Sequence, residues 1–162
     1  MTAVAWASLV VVLLAVYVTW TAGRLDRMHA RVDAAWAALD AQLVRRAFAA
    51  QALLPLLPSG PERGRLEAAA AAVAEADQDG REAVENDLSR ALRDAVPLLS
   101  ERGHALQELE SAAVRVGLSR SFHNSAVNDT RGLRRRKVPR LLHLAGHRSL
   151  PAFFDVDDTG LT

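Results

Sequence analysis

The chain contains no cysteine. This excludes a disulfide framework, thiolate catalysis and cysteine-ligated zinc. Lys137 is the only lysine among 20 basic residues; that arginine bias, with heavy alanine usage, reads as a GC-rich bacterial genome. Aromatic residues are scarce, at three Trp, one Tyr and four Phe, which leaves little material for a platform on which nucleic-acid bases could stack. No alternating strand pattern of useful length precedes the C-terminus. The net charge is only +1, so no global field steers the chain toward nucleic acid or acidic substrates. Charge is absent altogether from residues 1–23, and every basic residue lies from Arg24 onward.

That last absence is informative. Residues 3–22, AVAWASLVVVLLAVYVTWTA, hold twenty residues without a charge. As a helix rising about 1.5 Å per residue they span roughly 30 Å, the hydrocarbon thickness of a bilayer. Trp6 sits toward one end and Tyr17 and Trp20 toward the other, where amphipathic rings favour the membrane interfaces. A cleaved signal peptide would carry a positive n-region and a shorter apolar stretch, and would place a small residue where Trp20 stands. Arg24, Arg27 and Arg31 follow the span closely. The positive-inside rule then predicts a single-pass protein of the cell membrane, with the N-terminus outside and the bulk of the chain cytoplasmic. Ala15, Thr19 and Gly23 recur every four residues and form a small-residue face through which two anchors could self-associate.

Beyond the anchor, Leu25, Met28, Val32, Trp36, Leu39 and Leu43 recur at steps of three and four, the stripe of an amphipathic helix. Arg27, Arg31, Asp40, Arg45 and Arg46 are read as lying largely off that stripe. Pro55 should kink the helix and Pro58 to Pro61 should end it. A second helix is expected from Pro61 or Glu62, with Leu66, Ala70, Val73, Val84, Leu88, Leu92 and Ala95 as its stripe and Gly80 as a local weakness. Pro97 and Gly103 bracket the next turn. A third helix carries Leu106, Leu109, Ala113, Val116, His123 and Val127. The expected fold is therefore all-α: a transmembrane helix continuing into an antiparallel bundle of three long helices with a short C-terminal tail. The divisions are an anchor at 1–23, a bundle at 24–147 and a tail at 148–162 docking on the bundle. Alanine-rich stripes imply a thin core, because small side chains bury little area.

The ordered set of features resembles the LemA family of membrane-anchored helical proteins. RVDAAWAALDAQLVRRAFAAQALLPLL resembles the family's first cytoplasmic helix, through Trp36, Asp40, Leu43, Arg45, Arg46 and Pro55. ALQELESAAVRVGLSRSFHNSAV resembles its later helix, through Leu106, Gln107, Leu109, Arg120, Phe122 and Asn124. Phe153-Phe154 followed by an acid resembles its closing Phe-Phe-Glu. His123 stands where the family usually has Tyr, and Thr130-Arg131 replaces a common Tyr-Asn pair. The resemblance covers nearly the whole chain and implies an anchored helical bundle of mostly cytoplasmic mass. It implies no reaction and no cofactor.

Several stretches invite a chemical reading. The ending FFDVDDTGLT places Asp155, Asp157 and Thr159 at the spacing of a haloacid-dehalogenase nucleophile motif. Such an aspartate needs a strand end and a large α/β domain, whereas helices precede it and only three residues come after Thr159. The simpler reading has Phe153 and Phe154 as apolar tail anchors, with the aspartates keeping the tail solvated. His143 and His147 share a helix face, yet HLAGH lacks the glutamate of a metalloprotease and no third ligand is evident, so no metal is expected. His123, with Arg120 and Asn124, is the one place where folding could gather an enzymatic site. The run TRGLRRRKVPR gives a candidate interaction surface: Arg131, Arg134, Arg135, Arg136, Lys137 and Arg140. A basic helix end solvated near the dipole's negative pole accounts for it most simply. Its candidate partners are a protein or anionic lipid, while the lack of stacking aromatics argues against nucleic acid.

Overall fold

The computed structural model describes residues 2–99, 103–135 and 149–156, and these are all-α, with no strand among them. Four helices succeed one another: α1 (Thr2–Gln51), α2 (Pro61–Glu75), α3 (Arg81–Ala95) and α4 (His104–Arg134). No break separates the apolar stretch from the amphipathic one. Gly23 lies inside α1, in keeping with the expected continuation of the apolar helix into the amphipathic one. By its contacts the chain divides into two compact units: residues 1–34 with 125–152, and residues 35–124 with 153–162.

Proline sets the ends of α1 and α2. Pro55 offers no N–H, and its ring would collide with the carbonyl four residues earlier, which belongs to Gln51. α1 stops at that residue, and Leu54–Leu56 form a 3₁₀ turn. Pro61 then opens α2 at the first helical position, where a missing donor costs nothing.

The expected second helix is two helices. Ala76 adopts extended backbone after α2, and the Asp77 carboxylate accepts a hydrogen bond from the Gly80 N–H at 2.9 Å, closing a side-chain turn. The weakness expected at Gly80 is thus a full reversal, and the second of the three expected helices is two, giving four among the described residues. α2 and α3 form an antiparallel hairpin, since Arg65 approaches Asp94 across it while Arg81 donates to the Val73 carbonyl near the turn.

The core of the larger unit is built of leucine and alanine. Ala47, Ala50, Leu53 and Leu57 meet Leu66, Ala70 and Val73 of α2, Leu88, Leu92 and Ala95 of α3, and Leu106 and Leu109 of α4. Two arginines cross this thin core. Arg46 is fully buried and donates from Nη2 to the Glu85 carbonyl at 3.2 Å and to the Ser89 hydroxyl at 2.8 Å. The same nitrogen lies 3.1 Å from the carboxylate of Glu85, which is also fully buried. Arg81, nearly buried, bridges the Asp40 carboxylate and the Val73 carbonyl. Arg46 therefore lies on the stripe, not off it: it comes three residues after Leu43 and four before Ala50.

In the smaller unit, Thr21, Leu25, His29 and Val32 are buried on α1, and Ala126, Val127, Thr130 and Leu133 on α4. His29 Nδ1 donates to the Leu25 carbonyl at 3.0 Å. The preceding part of α1 is different in kind. Its residues from Thr2 to Tyr17 are all exposed, and the helix is long and apolar enough there to cross a membrane.

Replacing Glu85 with Ala leaves the Arg46 charge buried without its counter-ion, at a cost of about 3–5 kcal/mol. The double variant Arg46→Met, Glu85→Leu should recover most of that stability in denaturant titrations. A second expectation concerns Gly117, where nothing lies within 4 Å of an added Cβ. Gly117→Ala should stabilise α4 by about 1 kcal/mol, read from the same titrations.

Candidate functional site

The place where sequence suggested an enzymatic cluster is filled by the chain's own tail. His123 is 3% exposed, with its ring edge-on to Trp36 at 5.5 Å between centroids and 65° between planes. Trp36 makes the same kind of contact with Phe154, at 5.5 Å and 66°. These are the edge-to-face geometries that aromatic quadrupoles favour. Trp36 thus stands between the histidine of α4 and the phenylalanine of the tail.

Asn124 pairs with both backbone groups of Phe154. Its Nδ2 donates to the Phe154 carbonyl at 3.0 Å, and its Oδ1 accepts the Phe154 N–H at 2.9 Å. A helix side chain here does what a neighbouring strand would do. One turn earlier, Arg120 Nη1 donates to the Val156 carbonyl at 2.6 Å and lies 3.8 Å from the Asp155 carboxylate. From α3, Glu82 accepts the Asp155 N–H at 2.8 Å.

Side chains in this stretch alternate as in an extended peptide: Phe154 is buried, Asp155 is exposed and Val156 is buried. Phe154 and Val156 pack with Leu39, Leu43 and Val116, and Trp36 flanks the cluster. Phe153 and Phe154 are not equivalent anchors. Phe154 is 3% exposed and Phe153 44%, because successive residues of an extended segment face opposite ways. Arg120, His123 and Asn124 do come together, yet the polar groups of Arg120 and Asn124 serve the tail backbone. Sequence reading misses the parts played by Trp36 and Glu82. Spacing alone makes Trp36 one more member of an apolar stripe, and nothing local marks Glu82, whose partner lies 73 residues away.

The basic stretch divides differently. Arg131, Arg134 and Arg135 are described, whereas Arg136, Lys137 and Arg140 lie outside the described residues, as do His143, His147, Asp157 and Thr159. Arg131 Nε donates to the Pro151 carbonyl and Arg134 Nη1 to the Ser149 carbonyl, each at 2.7 Å. No cluster of three metal-ligating side chains occurs among the described residues. On the small-residue face, the Thr19 hydroxyl donates to the Ala15 carbonyl at 2.9 Å, and Arg27 Nη1 lies 3.5 Å from where a Cβ on Gly23 would stand. One apolar row faces outward from α4: Val114, Leu118 and Phe122, four residues apart, are all more than half exposed.

Comparison of the chain with family models, with curated proteins and with solved structures finds no match in any of the three.

Phe154→Ala should cost about 3 kcal/mol, whereas Phe153→Ala should cost much less. Asn124→Ala should release the tail to limited proteolysis with helix content unchanged by circular dichroism. Equal effects from the two phenylalanines would show that the tail is held in some other way.

Proposed function

We propose that this is a bacterial single-pass membrane protein of the LemA type, acting as a structural and interaction module with no enzymatic activity. The observation that carries this reading is the contrast within α1. Its first part presents an unbroken apolar surface of a kind that water does not tolerate, and from Leu25 onward the same helix buries a regular stripe. Arg24, Arg27 and Arg31 mark the change from one regime to the other and support a cytoplasmic location for the rest of the chain.

The resemblance to the LemA family rests on its ordered residues, and several of them have structural work in this fold. Asp40 meets Arg81, Arg46 meets Glu85, and Arg120 and Asn124 hold the tail. Polar residues that would otherwise suggest catalysis are thereby tied to architecture, which favours an interaction module over an enzyme centred on His123. The outward row of Val114, Leu118 and Phe122 supports a role in protein contact.

The absence of cysteine makes topology directly testable. Thr2→Cys should react with a membrane-impermeant maleimide on intact cells, and Ser111→Cys only after permeabilisation. The opposite pattern would reverse the orientation, and release of the protein by alkaline carbonate would remove the anchor altogether.

A further inference from the structure

We propose that the smaller unit carries an arginine collar that binds the anionic phospholipid headgroups of the leaflet where α1 leaves the bilayer, and that α4 supplies half of it. This rests on the membrane-spanning reading of α1. It adds a ligand, anionic lipid, and assigns it to two helix segments far apart in sequence.

The register of the two segments carries the inference. The Thr130 hydroxyl, bonded mainly to the Ala126 carbonyl at 2.8 Å, also comes within 3.5 Å of the Met28 carbonyl. Asp129 lies 3.8 Å from Arg31. As numbers fall along α4 they rise along α1, so the segments run antiparallel. Arg134 comes four residues after Thr130, and Arg24 four before Met28. Each step is about 6 Å along a helix axis, and both lead toward the apolar stretch. The end of α4 thus returns to the level of Arg24. From sequence alone this basic run could have stood far from the bilayer.

Side-chain directions agree on the α1 side. The Arg24 guanidinium lies 5.7 Å from the centre of the Trp20 ring, and that of Arg27 folds back beside Gly23. Helix side chains lean toward the N-terminus, which here is the membrane end. Long basic side chains beside an interfacial tryptophan are the arrangement in which charge reaches the headgroups while the stem stays on apolar surface.

Charge supplies the attraction. Residues 24–34 and 125–135 carry six arginines, Arg24, Arg27, Arg31, Arg131, Arg134 and Arg135, against Asp26, Asp33 and Asp129. Arg131 and Arg134 each donate one hydrogen bond to a backbone carbonyl, of Pro151 and of Ser149. An anionic surface attracts each basic residue near it by about fivefold in affinity.

The test uses the full-length protein in phosphatidylcholine nanodiscs containing a minority of brominated lipid. Quenching of tryptophan fluorescence by brominated phosphatidylglycerol is compared with that by brominated phosphatidylcholine. Trp20, beside Arg24, reports enrichment at the collar. The wild type should be quenched more strongly by the anionic lipid. The triple variant Arg131→Gln, Arg134→Gln, Arg135→Gln should lose at least fivefold of that preference. Because Arg131 and Arg134 also hold residues 149–151, a triple Arg→Lys variant and the single exposed Arg135→Gln are measured beside it. Lysine should restore the preference, and Arg135→Gln should lower it severalfold. Equal quenching of the wild type by both lipids overturns the collar while leaving the anchor intact. No quenching by either lipid removes the anchor and the collar with it. A preference untouched in the glutamine triple assigns the lipid to α1 alone and overturns the part given to α4. Displacement of the anionic lipid by RNA at equal ionic strength, lost in the same triple, gives the surface to nucleic acid instead.

Discussion

The larger unit depends on a charge that has no access to water. Leucine and alanine alone would let α1 and α3 slide or rotate against one another, because small apolar side chains interlock weakly. Arg46 removes that freedom. Its guanidinium meets the Glu85 carboxylate, the Glu85 carbonyl and the Ser89 hydroxyl together, which restricts the rotation and height of α3 against α1. Arg81 repeats the device one turn before Glu85, reaching Asp40 on α1 and the last turns of α2. Burying such groups is costly, and an apolar substitute of equal volume would often be as stable. What the pairs contribute here is a defined register for a core too smooth to define its own.

That register fixes where Trp36 faces, and through Trp36 it positions the tail. One ring contacts His123 on one side and Phe154 on the other, so the aromatic cluster inherits its geometry from α1. Asn124 and Arg120 then satisfy backbone groups of the tail that would otherwise be buried without partners. The result is an extended segment held by helices, with no sheet among the described residues to receive it.

The helices themselves are legible in the sequence because their causes are local. Proline positions, the capping potential of Asp77 and Gly80, and steps of three and four in Leu and Val are all read within a single turn or two. The number of helices is harder, since an Asx turn and a weakened helix share the same residues until partners for both halves are known. Arg46 shows the opposite difficulty. Its position on the stripe is visible in the spacing from Leu43, but its chemistry suggests solvent, and its counter-ion lies 39 residues away. The site that holds the tail is the least legible. Arg120, His123 and Asn124 can be gathered by helical spacing, yet only the tertiary return of residues 153–156 shows what they hold.

The smaller unit joins residues 1–34 to residues 125–152, whereas α2 and α3 meet across a turn of a few residues. Synthesis delivers these parts in a fixed order. The α2–α3 hairpin closes its contacts locally and can form while the chain is still growing, at a small entropic cost for loop closure. Leu25, His29 and Val32 must wait for Ala126, Val127, Thr130 and Leu133, made about a hundred residues later. In the interval, α1 carries an uncovered apolar stripe immediately after its apolar stretch. The growing chain therefore leaves that stripe uncovered, directly beside its exposed apolar stretch, until residues 126–133 have been made.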